Sequence, residues 1–105
     1  MLFLSEIEEF IAKAERKFKV GILVYDAGYY AESIDHFYYA MFLTSKALLF
    51  KKDIIAKTHV GLINMIQIHY VETGELDSKI HSSFANTQTL REQEIMIPLM
   101  TLAKK

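Results

Sequence analysis

The run Phe37-Tyr38-Tyr39-Ala40-Met41-Phe42-Leu43 decides the fold class of this 105-residue chain, because every one of its seven residues is apolar or aromatic. Its neighbours, from about Tyr29 to Phe50, continue the apolar pattern at helical spacing over more than one face. A helix that is apolar most of the way round is buried on more than one side. We therefore predict the central helix of a bundle, or a helix in a subunit interface.

The segment before this helix also has helical periodicity. Its apolar residues step by three or four positions between Ile7 and Tyr25, so they share one face. Ser5 and Glu8 have the spacing of a capping box, which predicts the start of the helix. Gly28 supplies the stop, because the residue after a helix often needs a positive φ.

Two further helices are predicted after the central one. Thr58 is a good N-cap for a third helix that reaches about Val71, and Gly74 ends the turn that follows it. A fourth helix is expected from about Asp77 to Ile95, and the tail Met96–Lys105, which Pro98 interrupts, could form only a short final turn or helix. No segment has the alternation of a strand. The predicted fold is all-α: an antiparallel up-and-down four-helix bundle with a short fifth helix or turn, in a single domain over residues 1–105.

Composition limits the classes of protein to consider. A chain that is 51% hydrophobic with a net charge of −1 is expected to fold rather than remain disordered. The absence of cysteine excludes a disulfide scaffold and a Cys-ligated zinc site. The longest stretch without charged residues, Thr58–Val71, is too short to cross a membrane, and the first residues lack the basic start of a signal peptide. We therefore expect a cytoplasmic protein with no membrane contact.

Charge is unevenly distributed along the chain. Residues 1–35 carry a net charge of −3, whereas four lysines and one aspartate give residues 36–59 a net charge of +3. The lysines are Lys46, Lys51, Lys52 and Lys57. They suit the C-terminal end of a helix, where the helix dipole favours cations. The same cluster could also face a phosphate group, and the sequence leaves both interpretations open.

Two blocks of this sequence resemble the HEPN domain family. The first is Phe37-Tyr38-Tyr39-Ala40-Met41-Phe42 followed by Lys46-Ala47-Leu48-Leu49, and the second is Lys57-Thr58-His59-Val60-Gly61-Leu62. The lead-in Gly28-Tyr29-Tyr30-Ala31 and the pair Leu90-Arg91 also fit, so the resemblance covers roughly residues 8–95. It implies a small helical bundle of a prokaryote, usually a homodimer. Many such proteins are RNA-cleaving toxins paired with a small nucleotidyltransferase antitoxin, and others bind nucleotides or RNA.

The resemblance assigns the Arg of the catalytic motif to Arg91 but leaves that motif incomplete. Catalytic members carry a histidine after four to six intervening residues, and Met96, Ile97 and Pro98 stand at those positions here. Cleavage of RNA needs a base for the ribose 2′-hydroxyl and a cation for the phosphate. Arg91 could supply the cation, and His36, beside the aromatic block, could serve as a displaced base. The resemblance therefore favours a module with weak or absent nuclease activity.

The candidate ligand-binding residues are Lys46, Lys57, His59 and Arg91. His59 follows the Thr58 N-cap, where backbone N–H groups can bind an anion, although it could equally pack against the preceding loop. Tyr38 and Tyr39 could stack on a base or belong to the core or an interface. His69 and His81 lack a third ligand at suitable spacing, so we expect no metal site, and no cofactor is implied.

Three functions stay open. The first is binding of nucleotide, RNA or a partner by a homodimeric module, in a toxin–antitoxin type system with a nucleotidyltransferase partner. The second is a metal-independent ribonuclease that uses Arg91 with a displaced histidine. The third is a purely structural or regulatory protein-binding dimer.

Overall fold

The computed structural model describes residues 4–78 and 101–104, and these residues form helices and turns without any strand. Helix α1 is Leu4–Asp26, α2 is Tyr30–Lys51 and α3 is His59–Ile66. A π-helical segment, Gln67–Val71, continues α3. The all-α class is confirmed. Most of the predicted fourth helix, with Arg91 and His81, lies outside the described residues, as does most of the tail; residues 101–104 have helical backbone.

The ends of α1 show one confirmed and one wrong prediction. Gly28 has φ +92°. Its N–H donates to the Tyr25 carbonyl at 3.0 Å, and the Tyr29 N–H donates to the Val24 carbonyl at 3.0 Å. This pair of bonds is a Schellman motif, so Gly28 ends the helix as predicted. The Ser5 N-cap is wrong, because Leu4 is already helical and Ser5 therefore lies inside the first turn rather than before it.

Helix α2 is buried over a wide face, as its sequence predicts, and is the centre of the described structure. It contacts both α1 and α3. The buried hydroxyl groups of Ser33 and Thr44 donate to the carbonyl groups of Tyr30 and Ala40, at 2.7 and 2.8 Å, so their burial leaves no donor unpaired. The buried residues of α2 are Ser33, Phe37, Ala40, Met41, Leu43, Thr44, Ser45, Ala47, Leu48 and Leu49.

Helices α1 and α2 approach closely at Gly21. A Cβ atom at this position would lie 2.7 Å from a ring carbon of Phe37, and Phe37 is only 1% exposed. The Phe37 ring also lies 5.8 Å from the Phe18 ring, measured between centroids. Glycine at this point lets the two helices pack with Phe37 between them.

Helix α3 begins where the sequence predicts. Thr58 has an extended backbone, with φ −134° and ψ 160°, and its side-chain oxygen accepts a hydrogen bond from the Gly61 N–H at 2.9 Å. A Cβ atom at Gly61 would lie 2.9 Å from that same oxygen, so glycine leaves room for the cap. The helix continues to Val71 as predicted, but its last five residues are π-helical rather than α-helical.

Candidate functional site

The candidate site lies where the start of α3 meets α2. The His59 ring stacks on the Phe42 ring with centroids 4.4 Å apart and an angle of 27° between the planes. The Tyr38 ring lies nearly parallel to His59 at 6.4 Å, and the Tyr38 hydroxyl oxygen is 3.3 Å from His59 Nδ1. Two aromatic residues one turn apart on α2 therefore hold an exposed imidazole in a fixed position.

Lys46 extends this cluster along α2. Its Nζ atom lies 5.2 Å from the Phe42 ring centroid and 5.5 Å from the Phe10 ring centroid. Both distances are within the range of cation–π attraction. Lys46 and His59 thus contact the same Phe42 ring, one from α2 and one from α3. We call the group Tyr38, Phe42, Lys46, Lys57 and His59 the His59 surface.

Lys57 and the start of α3 add cationic character to the His59 surface. Lys57 is exposed and directly precedes the Thr58 cap. The geometry of an α-helix leaves the N–H groups of His59 and Val60 without an acceptor inside the helix, and the helix dipole makes this end partly positive. The arrangement can accept an anion from one side and stack a flat ring against aromatic side chains.

The lysine-rich stretch divides into two functional groups in the structure. Lys52 Nζ bonds the His69 carbonyl and the Glu75 carboxylate, each at 2.5 Å, and Lys51 Nζ donates to the Ala103 carbonyl at 3.0 Å. The hydrogen bond from Lys52, with a second from Thr73, lowers the pKa of the Glu75 carboxyl below its ordinary value. Lys51 and Lys52 therefore hold the chain together, and Lys46 and Lys57 are the lysines that the structure leaves at the candidate site.

A cavity of about 360 Å³ lies beneath the C-terminal end of α2. Its polar lining consists of Lys51, Lys52, Tyr70 and Glu75. These groups already bond one another or nearby backbone carbonyls, and the Tyr70 hydroxyl donates to the Leu48 carbonyl. Because their polar atoms already have partners inside the chain, this cavity is a weaker candidate than the His59 surface.

His36 lies elsewhere on α2. A Cβ atom added to Gly21 of α1 would lie 3.3 Å from the His36 Cβ atom, so His36 faces α1. His36 precedes Phe42 by six residues and Lys46 by ten, so at 1.5 Å per residue it lies about 9 Å and about 15 Å from them along the axis of α2. The structure thus brings together Lys46 and His59 but not His36. The catalytic roles of His36 and Arg91 stay predictions, and Arg91 lies outside the described residues.

Phe42 is the member of the site that sequence reasoning did not assign to it, and for Tyr38 the sequence left base stacking and a place in the core or an interface both open. A signal was present, since residues 38, 42 and 46 are spaced by four and therefore lie on one face of α2. Only the approach of α3 reveals that this face meets His59. Among the described residues, no group of three or more His, Asp or Glu side chains could hold a metal ion.

No helix in the described ranges is long and apolar enough to span a membrane.

Comparison with known proteins gives several relatives. "Putative toxin MJ0142" of Methanocaldococcus jannaschii is 35% identical over 75 residues, which cover 71% of this chain and 51% of that protein. "UPF0332 protein PH1297" of Pyrococcus horikoshii is 35% identical over 73 residues, covering 70% of this chain and 51% of that protein. The chain spans about half the length of these relatives. No solved structure gives a significant match.

The family comparison covers most of the chain, including the whole of the candidate site. The HEPN domain matches residues 7–95. This range contains α1 from Ile7 onward, all of α2 and α3, and the blocks around Tyr38 and His59 on which the resemblance depends. The chain therefore belongs to the HEPN domain family.

Proposed function

We propose that this chain is an RNA-binding HEPN module of a toxin–antitoxin type system, with weak or absent nuclease activity. The observation that carries the proposal is the shared contact of His59 and Lys46 with the Phe42 ring. The name of the relative from Methanocaldococcus jannaschii, "Putative toxin MJ0142", supports the system to which we assign it.

The chemistry of the His59 surface fits single-stranded RNA. Proteins that bind single strands combine cations for the phosphates with aromatic rings on which bases stack, and stacking contributes about 1–3 kcal/mol per base. Here His59 is the exposed ring, held from one side by Phe42, Lys46 supplies a cation against the same Phe42 ring, and the exposed Lys57 lies two residues before His59. A bound phosphate would gain from the free N–H groups at the start of α3.

The proposal includes two partners. One is a second copy of the chain, as the family resemblance implies, and light scattering of the purified protein would measure its mass. The other is a small nucleotidyltransferase antitoxin, for which co-purification with the product of a neighbouring gene is the test. The expected weak nuclease activity rests on the family resemblance, because Met96, Ile97 and Pro98 stand where catalytic members carry a histidine and none of them can transfer a proton.

Fluorescence anisotropy with a labelled single-stranded RNA at several salt concentrations tests RNA binding. Lys57→Ala removes one phosphate contact, so the slope of log affinity against log salt should fall by about 0.7. His59→Ala should weaken binding by about 1 kcal/mol or more through lost stacking. The matched control is Lys19→Ala, which removes one exposed charge from α1 and should leave affinity nearly unchanged.

The outcome separates the alternatives. Equal loss of affinity in the Lys57 and Lys19 variants would mean that binding follows net charge alone and would contradict the proposed surface. Absence of binding to RNA and to nucleoside triphosphates at low salt would favour the structural or regulatory dimer. Metal-independent cleavage that Arg91→Ala abolishes would favour a ribonuclease. In that case the exposed His59, beside the Tyr38 hydroxyl, is a better placed base than His36.

A further inference from the structure

A cluster of exposed tyrosines occupies the turn between α1 and α2, at the opposite end of α2 from Lys46. Tyr25, Tyr29 and Tyr30 are 36%, 63% and 54% exposed. The rings of Tyr25 and Tyr30 lie 5.1 Å apart between centroids, with 59° between their planes. We call these three tyrosines, together with Asp26 and Glu32, the tyrosine tip. Exposed aromatic groups of this kind mark interaction sites on protein surfaces.

The charge around the tyrosine tip has one sign. The sequence contains no lysine or arginine between Lys19 and Lys46, and its charged residues there are Asp26, Glu32 and Asp35. All three carboxylates are exposed. The ion pairs within residues 4–78 and 101–104 use Glu9, Glu15 and Glu75, so none involves these three carboxylates. A partner that covers the tip must therefore bring its own positive charge.

The backbone of the tip is fixed before any partner binds. The two hydrogen bonds of the Schellman motif close the turn at Gly28, and the close contact of Gly21 with Phe37 locks α1 against α2 just below it. A surface held in this way loses little backbone entropy on binding. The backbone that carries the three tyrosines is therefore already in place before a partner binds.

We propose that the tyrosine tip docks an arginine-bearing segment of a partner protein. An arginine side chain can stack its planar guanidinium group on a tyrosine ring and donate a pair of hydrogen bonds to a carboxylate, and lysine can do neither in the same geometry. The tip offers aromatic rings at Tyr25 and Tyr30 and exposed carboxylates at Asp26, which follows Tyr25 directly, and at Glu32 in the first turn of α2. RNA is a poor occupant, because its phosphates would face unpaired carboxylates.

This inference goes beyond the proposed RNA binding and is independent of it. Tyr30 and Lys46 are sixteen residues apart in α2, and at 1.5 Å per residue the tip lies about 24 Å from Lys46 along the helix axis. A partner on the tip would leave the His59 surface uncovered. The His59→Ala variant should therefore keep its affinity for a ligand of the tip.

Two labelled peptides of equal length test the proposal, one with four arginines and the other with four lysines, separated by glycine in each. Anisotropy at 100 mM salt should show that the arginine peptide binds about fivefold more tightly or better, since only the planar guanidinium group can both stack flat on a ring and bond a carboxylate through two parallel donors. The double variant Tyr29→Ala, Tyr30→Ala should lose this preference. The variant with Phe at both positions should retain it, because phenylalanine keeps the ring.

Tyr39→Ala is the matched control, since Tyr39 is another exposed tyrosine of α2, 50% exposed, but lies away from the tip. It should bind both peptides like the wild type. Equal affinity for the two peptides, binding of neither, or a preference that survives the double alanine variant would each overturn the proposal. Circular dichroism would confirm that the double alanine variant is folded.

Discussion

At the scale of single residues, Asp53 shows how α2 ends. It adopts the left-handed conformation with φ +60°. The Asp53 N–H donates to the Phe50 carbonyl at 3.0 Å, and the Ile54 N–H donates to the Leu49 carbonyl at 2.9 Å. These bonds repeat the Schellman motif that ends α1, with aspartate in place of Gly28. A residue with a Cβ is strained in this conformation, and a carboxylate at a helix C-terminus opposes the helix dipole.

Asp53→Gly should therefore raise the free energy of unfolding by about 0.5–1 kcal/mol, because it removes both the strain and the unfavourable charge. Chemical denaturation measures the change. Gly28→Ala is the matched control at the motif that ends α1. No atom lies within 4 Å of the position that the alanine Cβ would occupy, so the free energy of unfolding should fall by about 1 kcal/mol through backbone strain alone. A lower stability for Asp53→Gly would contradict this account of the α2 terminus.

At the scale of helices, the packing of α1 on α2 depends on the space that Gly21 leaves for Phe37. Glycine in the middle of a helix is ordinarily unfavourable by about 1 kcal/mol relative to alanine. The contact of 2.7 Å that a Cβ would make with the buried Phe37 ring reverses this preference. The sequence pattern of α1 identifies its buried face but not the distance to α2, so the importance of Gly21 emerges only from the packing.

Gly21→Ala should lower the free energy of unfolding by about 1–2 kcal/mol, since overpacking costs about 1–3 kcal/mol and exceeds the gain in helix propensity. Ala12 is exposed in the same helix, so Ala12→Gly measures the difference in helix propensity between alanine and glycine without any packing effect. We expect it to lower the free energy of unfolding by about 1 kcal/mol. Adding Phe37→Leu to the Gly21→Ala variant should recover part of the lost free energy of unfolding, because the smaller side chain relieves the overpacking. Stabilisation by Gly21→Ala alone would show that α1 and α2 are free to move apart.

At the scale of the whole molecule, side chains connect the end of α2 to segments far along the chain. The Tyr70 hydroxyl donates to the Leu48 carbonyl. That carbonyl lacks its usual partner, because the Lys52 N–H bonds Leu49 instead, at 3.0 Å. Lys52 bonds the His69 carbonyl and Glu75, and Lys51 bonds the Ala103 carbonyl. These contacts hold the π-helical segment and residues 101–104 against α2, so we expect these parts to unfold together.

Burial, with a smaller contribution from the Glu75 carboxylate, raises the pKa of Tyr70 to about 12. The neutral phenol is therefore favoured in the folded protein. The stabilisation from this group is complete below about pH 10, the unfolded value, and is lost as pH rises from about 10 towards 12, at up to about 1.4 kcal/mol per pH unit.

Tyr70→Phe should lower the free energy of unfolding by about 1–2 kcal/mol at neutral pH, because the buried Leu48 carbonyl loses its donor. Since phenylalanine does not ionise, the difference between wild type and variant should shrink above about pH 10. Denaturation curves between pH 7 and 11 measure both effects. The exposed Tyr30→Phe should change stability little, and a constant difference between the Tyr70 variant and wild type would contradict the role of burial.

The sequence by itself determined the helical class, the termini at Gly28 and Thr58, and the wide buried face of α2. These features depend on contacts between residues three or four positions apart, which the order of residues encodes directly. The sequence also contained the family resemblance that the match over residues 7–95 confirms.

Only the tertiary structure decided how the polar residues divide between stability and the candidate site. The pattern could not show that Lys51 and Lys52 bond the chain itself while Lys46 and His59 share Phe42, or that the end of the third helix is π-helical. The contacts of Lys52 and His59 depend on how the turn between α2 and α3 orients α3 against α2, and the contact of Lys51 depends on where residues 101–104 pack. That orientation is set by packing between residues about twenty positions apart, such as Tyr38 with His59 and Leu48 with Tyr70, and local periodicity contains no information about it.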